Sequence, residues 1–209
     1  MFSIIQAAGW PIWPLIACSI LALALIIERF ISLKTARIAP PQLLEEVLSV
    51  SRTAVPAPDV VSQLAKNSAL GEVLASGLHA LNSNPRCSED DLRSTMEGTG
   101  RMVAHRLERY LSALATIASA APLMGLFGTV VGMIEIFGSQ TPAGGATGGN
   151  LAQLAHGISV ALYNTAFGLI VAIPSLIFWR YFRARLDDYL LTLELASERL
   201  VRHLNTLRK

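Results

Sequence analysis

Three long stretches without a charged side chain constrain this sequence more than any other feature. They run over Trp10–Ile27, Leu111–Ile134 and Gly157–Trp179, and each has 18 to 24 residues. A helix of about 20 apolar residues crosses the hydrocarbon core of a bilayer. With 52% hydrophobic and 15% charged residues, the chain is too apolar for a disordered protein or an ordinary soluble enzyme. The sequence therefore predicts an all-α membrane protein with three transmembrane helices.

The basic residues predict the orientation of these spans. All 17 lysine and arginine residues lie within 29–109 or 180–209. Because cytoplasmic segments carry the excess of lysine and arginine, we expect the N-terminus outside and the tail inside. No basic residue precedes the first span, so we expect a retained span rather than a cleaved signal peptide. The expected segments are 1–33 (periplasmic N-terminus and first span), 34–110 (cytoplasmic helical region), 111–137 (second span), 138–156 (short periplasmic loop), 157–179 (third span) and 180–209 (cytoplasmic helical tail).

Helices are also expected outside the membrane. Ser88 followed by Asp91 resembles a capping box, and no proline follows until Pro122, so we expect one helix from about Glu89 to about Phe137. Shorter helices are expected over Gln42–Ser51, Val60–Lys66 and Leu70–Leu81, and the third span should continue along Leu186, Leu190, Leu193, Leu200, Leu204 and Leu207. Such helices predict a bundle completed by other copies of the chain. The glycine-rich segment 143–149 is expected to be an outer linker, not a phosphate-binding loop.

Each of the last two spans has a narrow face of small residues with one threonine. The faces are Gly125, Thr129, Gly132 and Ile136 in the second span, and Ala161, Thr165, Gly168 and Ala172 in the third. Gly128 and Gly132 also form a GxxxG pair, and small residues let membrane helices approach closely. For either threonine alone, a hydroxyl bonded back to its own helix is as good an interpretation as a pore-lining hydroxyl. The matching faces favour a polar pore lined by Thr129 and Thr165.

The remaining polar and proline residues in the spans suggest fewer roles. Pro122 and Pro174 are expected to kink their helices, with a hinge as the alternative. Glu135 and His156 lie at the outer level, where they either form a proton entrance or are solvated. Asn164 and Tyr163 are expected to make interhelical bonds, and Glu28 and Arg29 to mark the cytoplasmic edge.

An absence among these residues also matters. No Asp, Glu, His or Lys lies in the middle of any span, although a proton relay normally needs such a group. If the chain helps to conduct protons, the titrating carboxylate must come from a partner.

Two long strings carry a family resemblance. Residues 121–133 read APLMGLFGTVVGM and residues 157–174 read GISVALYNTAFGLIVAIP. They resemble the APLLGLLGTVxGM and GIxxALxTTxxGLxxAIP signatures of the MotA/TolQ/ExbB proton-channel family, in its ExbB/TolQ branch. The Glu28-Arg29 ending of the first span also fits. The resemblance covers all three spans in order, whereas 34–110 matches only in length and helical character.

The resemblance implies a pentamer in a bacterial inner membrane. It implies that a dimer of a one-span partner, ExbD or TolR, sits in the central pore and supplies a membrane Asp. Proton motive force, with no cofactor or metal, would then drive motion that is transmitted to TonB or TolA. The family's pore-lining threonines fall on Thr129 and Thr165. One departure is Val160, where many members have Glu, and Glu135 is a candidate to replace that acid in part.

Several functions stay open at this point. The leading hypothesis is an ion-conducting motor subunit rather than an enzyme, and the short segment before the first span favours an ExbB-like over a TolQ-like role. A membrane scaffold that holds a partner helix without conducting is the second class. A secondary transporter would show inverted repeats and broken helices, which are not visible. The net charge of +2 does not suggest nucleic acid, and the ion could be H⁺ or Na⁺.

Overall fold

Helices make up most of the part of the chain that the structure describes. The computed structural model describes residues 9–52, 56–138 and 149–207, and within these ranges it contains no strand. The helices described are α1 (Ile12–Ser32), α2 (Thr35–Ile38), α3 (Leu43–Ser51), α4 (Pro58–Asn67), α5 (Ala69–Ser83), α6 (Glu89–Gly138) and α7 (Gly149–Leu207). The predicted linker 143–149 lies outside the described residues except for Gly149.

Three of the described helices are long and apolar enough to cross a membrane, as the sequence predicts. They are α1, α6 and the Gly157–Thr206 part of α7. Many of their large apolar side chains are exposed in the single chain, for example Leu123 at 67% and Ile170 at 65%. A soluble protein rarely exposes so much apolar surface, whereas lipid or neighbouring chains cover it in a membrane. The protein is an integral membrane protein.

A capping box begins α6, as the sequence predicts. The backbone N–H of Asp91 donates to the Ser88 hydroxyl oxygen at 3.1 Å, and the Ser88 N–H donates to the Asp91 carboxylate at 3.2 Å. The Ser88 hydroxyl also donates to that carboxylate at 2.7 Å. These bonds from Ser88 lower the pKa of the Asp91 carboxyl. The helix then continues without a break through Pro122 to Gly138.

The helix α7 begins earlier than the expected end of the outer loop. It starts at Gly149, whereas the sequence places the third span from Gly157 onward. Residues 150–156 contain neither proline nor glycine, so nothing in the backbone stops a helix that leads into the span. About half of the predicted loop is therefore helical.

The described residues form two compact units, to which α6 and α7 both contribute. One unit comprises the residues up to Glu28 together with Leu111–Arg180. Its core is a cluster of Leu15, Ala121, Val171 and Ala172, with Cys18, Ile117, Met124 and Phe167 packed against it. The ring of Trp10 packs edge-on against Phe127, with ring centroids 6.0 Å apart. This unit holds the apolar segments predicted to span the membrane.

The second unit comprises Arg29–Tyr110 and the chain from Tyr181 onward. Its buried residues include one face of α5 and, in the tail of α7, the predicted stripe at Leu186, Leu193, Leu200 and Leu204. Met96 of α6 packs its side chain against Gly77 of α5. Ion pairs between Arg106 and Glu72, and between Arg183 and Glu108, lie at the surface of this unit. The buried stripe explains why α7 stays helical beyond the span.

Candidate functional site

The small-residue faces of α6 and α7 lie against each other in the first of the two units, which is the membrane unit. A methyl group on Gly125 would lie 2.8 Å from the backbone oxygen of Asn164 and 3.0 Å from the Cα of Thr165. A methyl group on Gly168 would lie 2.6 Å from the carbonyl oxygen of Ala121. Real Cβ atoms do not approach so closely, so the two backbones touch where glycine permits it. This is the close approach that small residues allow in membrane helices.

The other small residues extend this contact along both helices. A methyl group on Gly132 would lie 3.2 Å from the Cβ of Ala161, and one on Gly157 would meet the Cδ1 of Ile136. Ala172 is buried in the cluster with Leu15 at the other end of the contact. The faces chosen from the sequence are therefore the faces that meet within one chain.

The two threonines meet in the middle of this contact. Their Oγ1 atoms are 3.0 Å apart, and both side chains are partly buried. The Thr129 hydroxyl also donates to the backbone oxygen of Leu126 at 2.6 Å. Since a hydroxyl has one proton to donate, Thr129 then accepts from Thr165. The result is a short chain of hydrogen bonds from Thr165 through Thr129 to Leu126.

On its open side Thr129 lines a groove of α6. The other lining residues are apolar or glycine, namely Leu126, Val130, Met133, Ile134, Phe137 and Gly138. Four of the apolar side chains, those of Leu126, Val130, Ile134 and Phe137, are about half exposed or more. The hydroxyl of Thr129 is thus a polar point on an apolar surface, where a polar group from another chain could approach it.

The candidate entrance residues are less constrained. Glu135 is exposed near the end of α6, and the side chain of His156 lies outside the described residues. The residues next to them in the sequence, Ile136 and Gly157, are in contact. Positions 135 and 156 are therefore each one residue away from this contact. Glu135 is six residues beyond Thr129, or about 9 Å along the helix.

The two prolines lie inside continuous helices. Pro122 is half-buried and Pro174 is exposed, and the helix continues on either side of both. Each proline removes one backbone N–H from the helix ladder. Next to Pro174, the Ser175 hydroxyl donates to the Val171 carbonyl at 2.7 Å.

A comparison with known protein families shows the family to which the chain belongs. The model of the MotA/TolQ/ExbB proton channel family matches residues 65–195. The chain belongs to this family. The matched range contains Thr129 and Thr165, together with Gly125 and Gly168, at which the two helices touch. The hydroxyl pair therefore lies in the part of the chain that the family shares.

Individual relatives place the chain in the ExbB/TolQ branch of the family. It is 31% identical over 181 residues to the ExbB-like 3 protein of Synechocystis sp., covering 86% of this chain and 83% of that protein. It is 30% identical to the biopolymer transport protein exbB1 of Vibrio cholerae, covering 81% of this chain and 73% of that protein. The Tol-Pal system protein TolQ of Pseudomonas aeruginosa is 40% identical over 102 residues, or 46% of this chain and 43% of TolQ.

Two polar residues are more deeply buried than the sequence predicts. Arg29, expected at the cytoplasmic edge, is only 2% exposed. Its Nη1 donates to the Leu107 carbonyl at 2.7 Å, and its guanidinium lies 4.9 Å from the centre of the Tyr110 ring. No local pattern reveals this, because Leu107 is 78 residues away.

The second residue is Asn164, which is 1% exposed. The sequence does contain a signal for it. Asn164 lies three residues after Ala161 and four before Gly168, so it shares their helix face. Tyr163, one position earlier, is 42% exposed.

Proposed function

We propose that this chain is a subunit of a proton channel in a bacterial inner membrane that converts proton motive force into mechanical work on a TonB-type protein. In this proposal five copies form a pentamer around a dimer of an ExbD/TolR-type one-span partner. The work energises import of iron chelates and cobalamin across the outer membrane. The proposal needs no cofactor, and it rests on the family membership and on the threonine pair.

The observation that carries the proposal is the pair of hydroxyls in the membrane unit. Thr129 and Thr165 lie 3.0 Å apart, between helices whose spans contain no acid near their middle. A hydroxyl both donates and accepts, so it can hand on a proton without titrating. A relay still needs a group that titrates, and the membrane Asp of a one-span partner would supply it against the open side of Thr129.

The orientation in this proposal follows from the basic residues. Lys34 and Arg37 follow the first span, and Arg180, Arg183 and Arg185 follow the third. These clusters favour a cytoplasmic location for the second compact unit. The N-terminus and the segment between α6 and α7 would then lie in the periplasm.

Protons would enter this channel from the periplasmic side. Glu135 and His156 are the ionisable residues of the outer level, and we propose that Glu135 collects protons there. Val160 stands where many family members have Glu, so that acid is missing from α7. Glu135 is exposed in the single chain, which is compatible with a collecting role.

The choice between an ExbB-like and a TolQ-like role rests on the relatives. The match to the Vibrio cholerae exbB1 protein extends over 81% of this chain, whereas the match to the Pseudomonas aeruginosa TolQ protein extends over 46%. The ExbB protein of Salmonella typhimurium is also matched over only 46% of this chain, so the extent of the match does not by itself separate the two roles. The ExbB-like role is proposed because relatives matched over 80% or more of the chain carry ExbB names. Work on a TolA-type protein for envelope integrity is the alternative.

A non-conducting scaffold is the second candidate function. The bond from the Thr129 hydroxyl to its own helix at Leu126 is what a purely structural threonine makes. The close glycine contacts would also serve to hold a partner helix. The two functions differ in whether the hydroxyls are needed.

Co-purification with the one-span partner tests the proposal first. The chain is expressed with the ExbD/TolR-type protein of the same source, extracted in mild detergent and weighed by native mass spectrometry. A complex of five copies of this chain per partner dimer supports the motor. A chain that never captures the partner has no source for the missing carboxylate, and the proposal fails.

A substitution then separates the motor from the scaffold. Thr129→Val removes the hydroxyl from the pair, and Thr116→Val is a matched control. Thr116 lies on the same helix, is exposed, and donates its hydroxyl to its own helix at Ser112. Loss of TonB-dependent uptake with Thr129→Val alone supports conduction, whereas normal uptake with both variants favours the scaffold.

A further inference from the structure

Asn164 occupies a hollow above a glycine of the neighbouring helix. Its side chain is 1% exposed. A methyl group on Gly128 of α6 would lie 2.8 Å from the Cβ, 2.9 Å from the Cγ and 3.0 Å from the Nδ2 of Asn164. The asparagine thus fills the space that Gly128 leaves, and the two residues form a knob and a hole.

This contact adjoins the threonine pair on both helices. Gly128 is followed directly by Thr129, and Asn164 is followed directly by Thr165. The spacing of residues 128 and 164 therefore sets how closely residues 129 and 165 approach. A hydrogen bond of 3.0 Å is lost when the oxygens separate by about 0.5 Å more, so a small change in the fit is enough.

We propose that Asn164 is a positioning residue for the proton path. Seated on Gly128, its side chain fixes the distance and register of α6 and α7 at which the hydroxyls of Thr129 and Thr165 meet. It acts through shape, and the hydroxyls carry the proton. The inference rests on the proposed function, because it assigns Asn164 a role in the same hydroxyl pair.

The neighbouring contact at Gly125 differs in kind and gives a matched control. A methyl group on Gly125 would meet backbone atoms, namely the oxygen of Asn164 and the Cα atoms of Thr165 and Gly168. No change of side chain at position 164 relieves such a clash. At Gly128 the clash is with the Asn164 side chain, so Asn164→Gly relieves it.

The first test measures by cross-linking how close residues 129 and 165 lie, and it does not require the complex to conduct protons. The native cysteines are first removed with Cys18→Ala and Cys87→Ala. Thr129→Cys and Thr165→Cys are then introduced together. In the complex with the partner, the disulfide between residues 129 and 165 is measured as protection from a maleimide-polymer label. Gly128→Ala should lower cross-linking by roughly tenfold, because the added methyl group overpacks the contact and pushes the two helices apart. Adding Asn164→Gly should restore it, whereas Gly125→Ala with Asn164→Gly should stay low.

The second test reads proton flux in liposomes with both threonines present. Asn164→Leu keeps nearly the same branched shape and removes the amide. We expect its flux to stay within about twofold of the unsubstituted complex. Gly128→Ala should lose flux and regain it with Asn164→Gly.

Specific results would overturn the inference. One is a Gly128→Ala variant that cross-links normally, and another is a failure of Asn164→Gly to rescue it. A third is an Asn164→Leu variant that cross-links normally but does not conduct, since the amide would then take part in conduction directly. If the unsubstituted complex does not conduct, the proposed function fails, while the cross-linking pattern still tests the positioning.

Discussion

The hydroxyl oxygens of Thr129 and Thr165 lie 3.0 Å apart between two helices that touch through glycine. The pair exists because Gly125 and Gly168 let the backbones approach and because Asn164 fits above Gly128. A buried polar pair is costly to place in a membrane unless its groups bond to each other. In a chain whose spans have no central acid, the proposed proton path is built on this pair.

The close contact at Gly168 predicts a loss of stability on substitution. A methyl group there would meet the Ala121 carbonyl oxygen and the Gly125 Cα, which are backbone atoms that cannot turn aside. Gly168→Ala should therefore cost about 1–3 kcal/mol, measured as a lower thermal midpoint of the purified protein. Gly98→Ala is the control, because a methyl group on Gly98 meets no atom within 4 Å in the described part of the chain. It should gain about 0.5–1 kcal/mol, and equal midpoints for the two variants would contradict the packing.

Arg29 is expected to resist even a conservative change. Its guanidinium bonds to the Leu107 carbonyl and lies over the Tyr110 ring, and a lysine ammonium does not reproduce this planar fit. We expect Arg29→Lys to cost about 2 kcal/mol, again read from the thermal midpoint. Arg37→Lys, at an exposed position, should leave the midpoint unchanged. A midpoint for Arg29→Lys that matches this control would rule out the buried role.

The capping box makes part of the stability depend on pH. The bonds from Ser88 lower the pKa of Asp91, so the folded helix favours the ionised form more than the unfolded chain does. Their contribution is complete above the unfolded pKa of about 3.9 and declines as the pH falls through the folded value. Asp91→Ala should lower the thermal midpoint at pH 6, and its difference from the unsubstituted protein should shrink as the pH drops below about 4.

Asp90→Ala is the control for this cap. It removes the same charge from the same helical turn and leaves the bonds between Ser88 and Asp91. Its effect at pH 6 should be smaller than that of Asp91→Ala. A difference between Asp91→Ala and the unsubstituted protein that grows toward low pH would contradict a lowered pKa of Asp91 in the folded helix.

Glu135 is expected to affect the supply of protons rather than the path itself. Glu135→Gln should lower proton flux by about threefold or more at low salt, because a surface carboxylate concentrates cations near an entrance. The effect should weaken at high salt, since ions screen an exposed charge. Glu135→Asp keeps the charge and should conduct normally. Equal flux of Glu135→Gln and the unsubstituted complex would remove the collecting role.

The sequence predicts much of this fold because its signals are local. Charge-free stretches indicate the spans, and Ser88 with Asp91 indicates where α6 begins. Small residues at helical spacing also identify the faces that meet, because glycine is otherwise unfavourable in a helix interior. These signals need only the residues of one helix.

The rest depends on contacts between distant segments. The burial of Arg29 follows from its contact with Leu107 on another helix, which no spacing near Arg29 reveals. A span that is apolar on all sides has no polar face that marks its orientation. The sequence therefore does not show which of Asn164 and Tyr163 is buried, unless the small residues on the helix face of Asn164 are taken into account. The start of α7 at Gly149 differs from the prediction because a change in hydropathy marks the span and not the helix.

Proton flux through the reconstituted complex tests the central claim most directly. Liposomes carry this chain with its one-span partner, a membrane potential is imposed, and internal pH is followed with a dye. The unsubstituted complex and the Thr116→Val control should acidify the interior. The assembled Thr129→Val/Thr165→Val variant should not. Equal acidification by the double variant would contradict the claim that this hydroxyl pair carries the proton path.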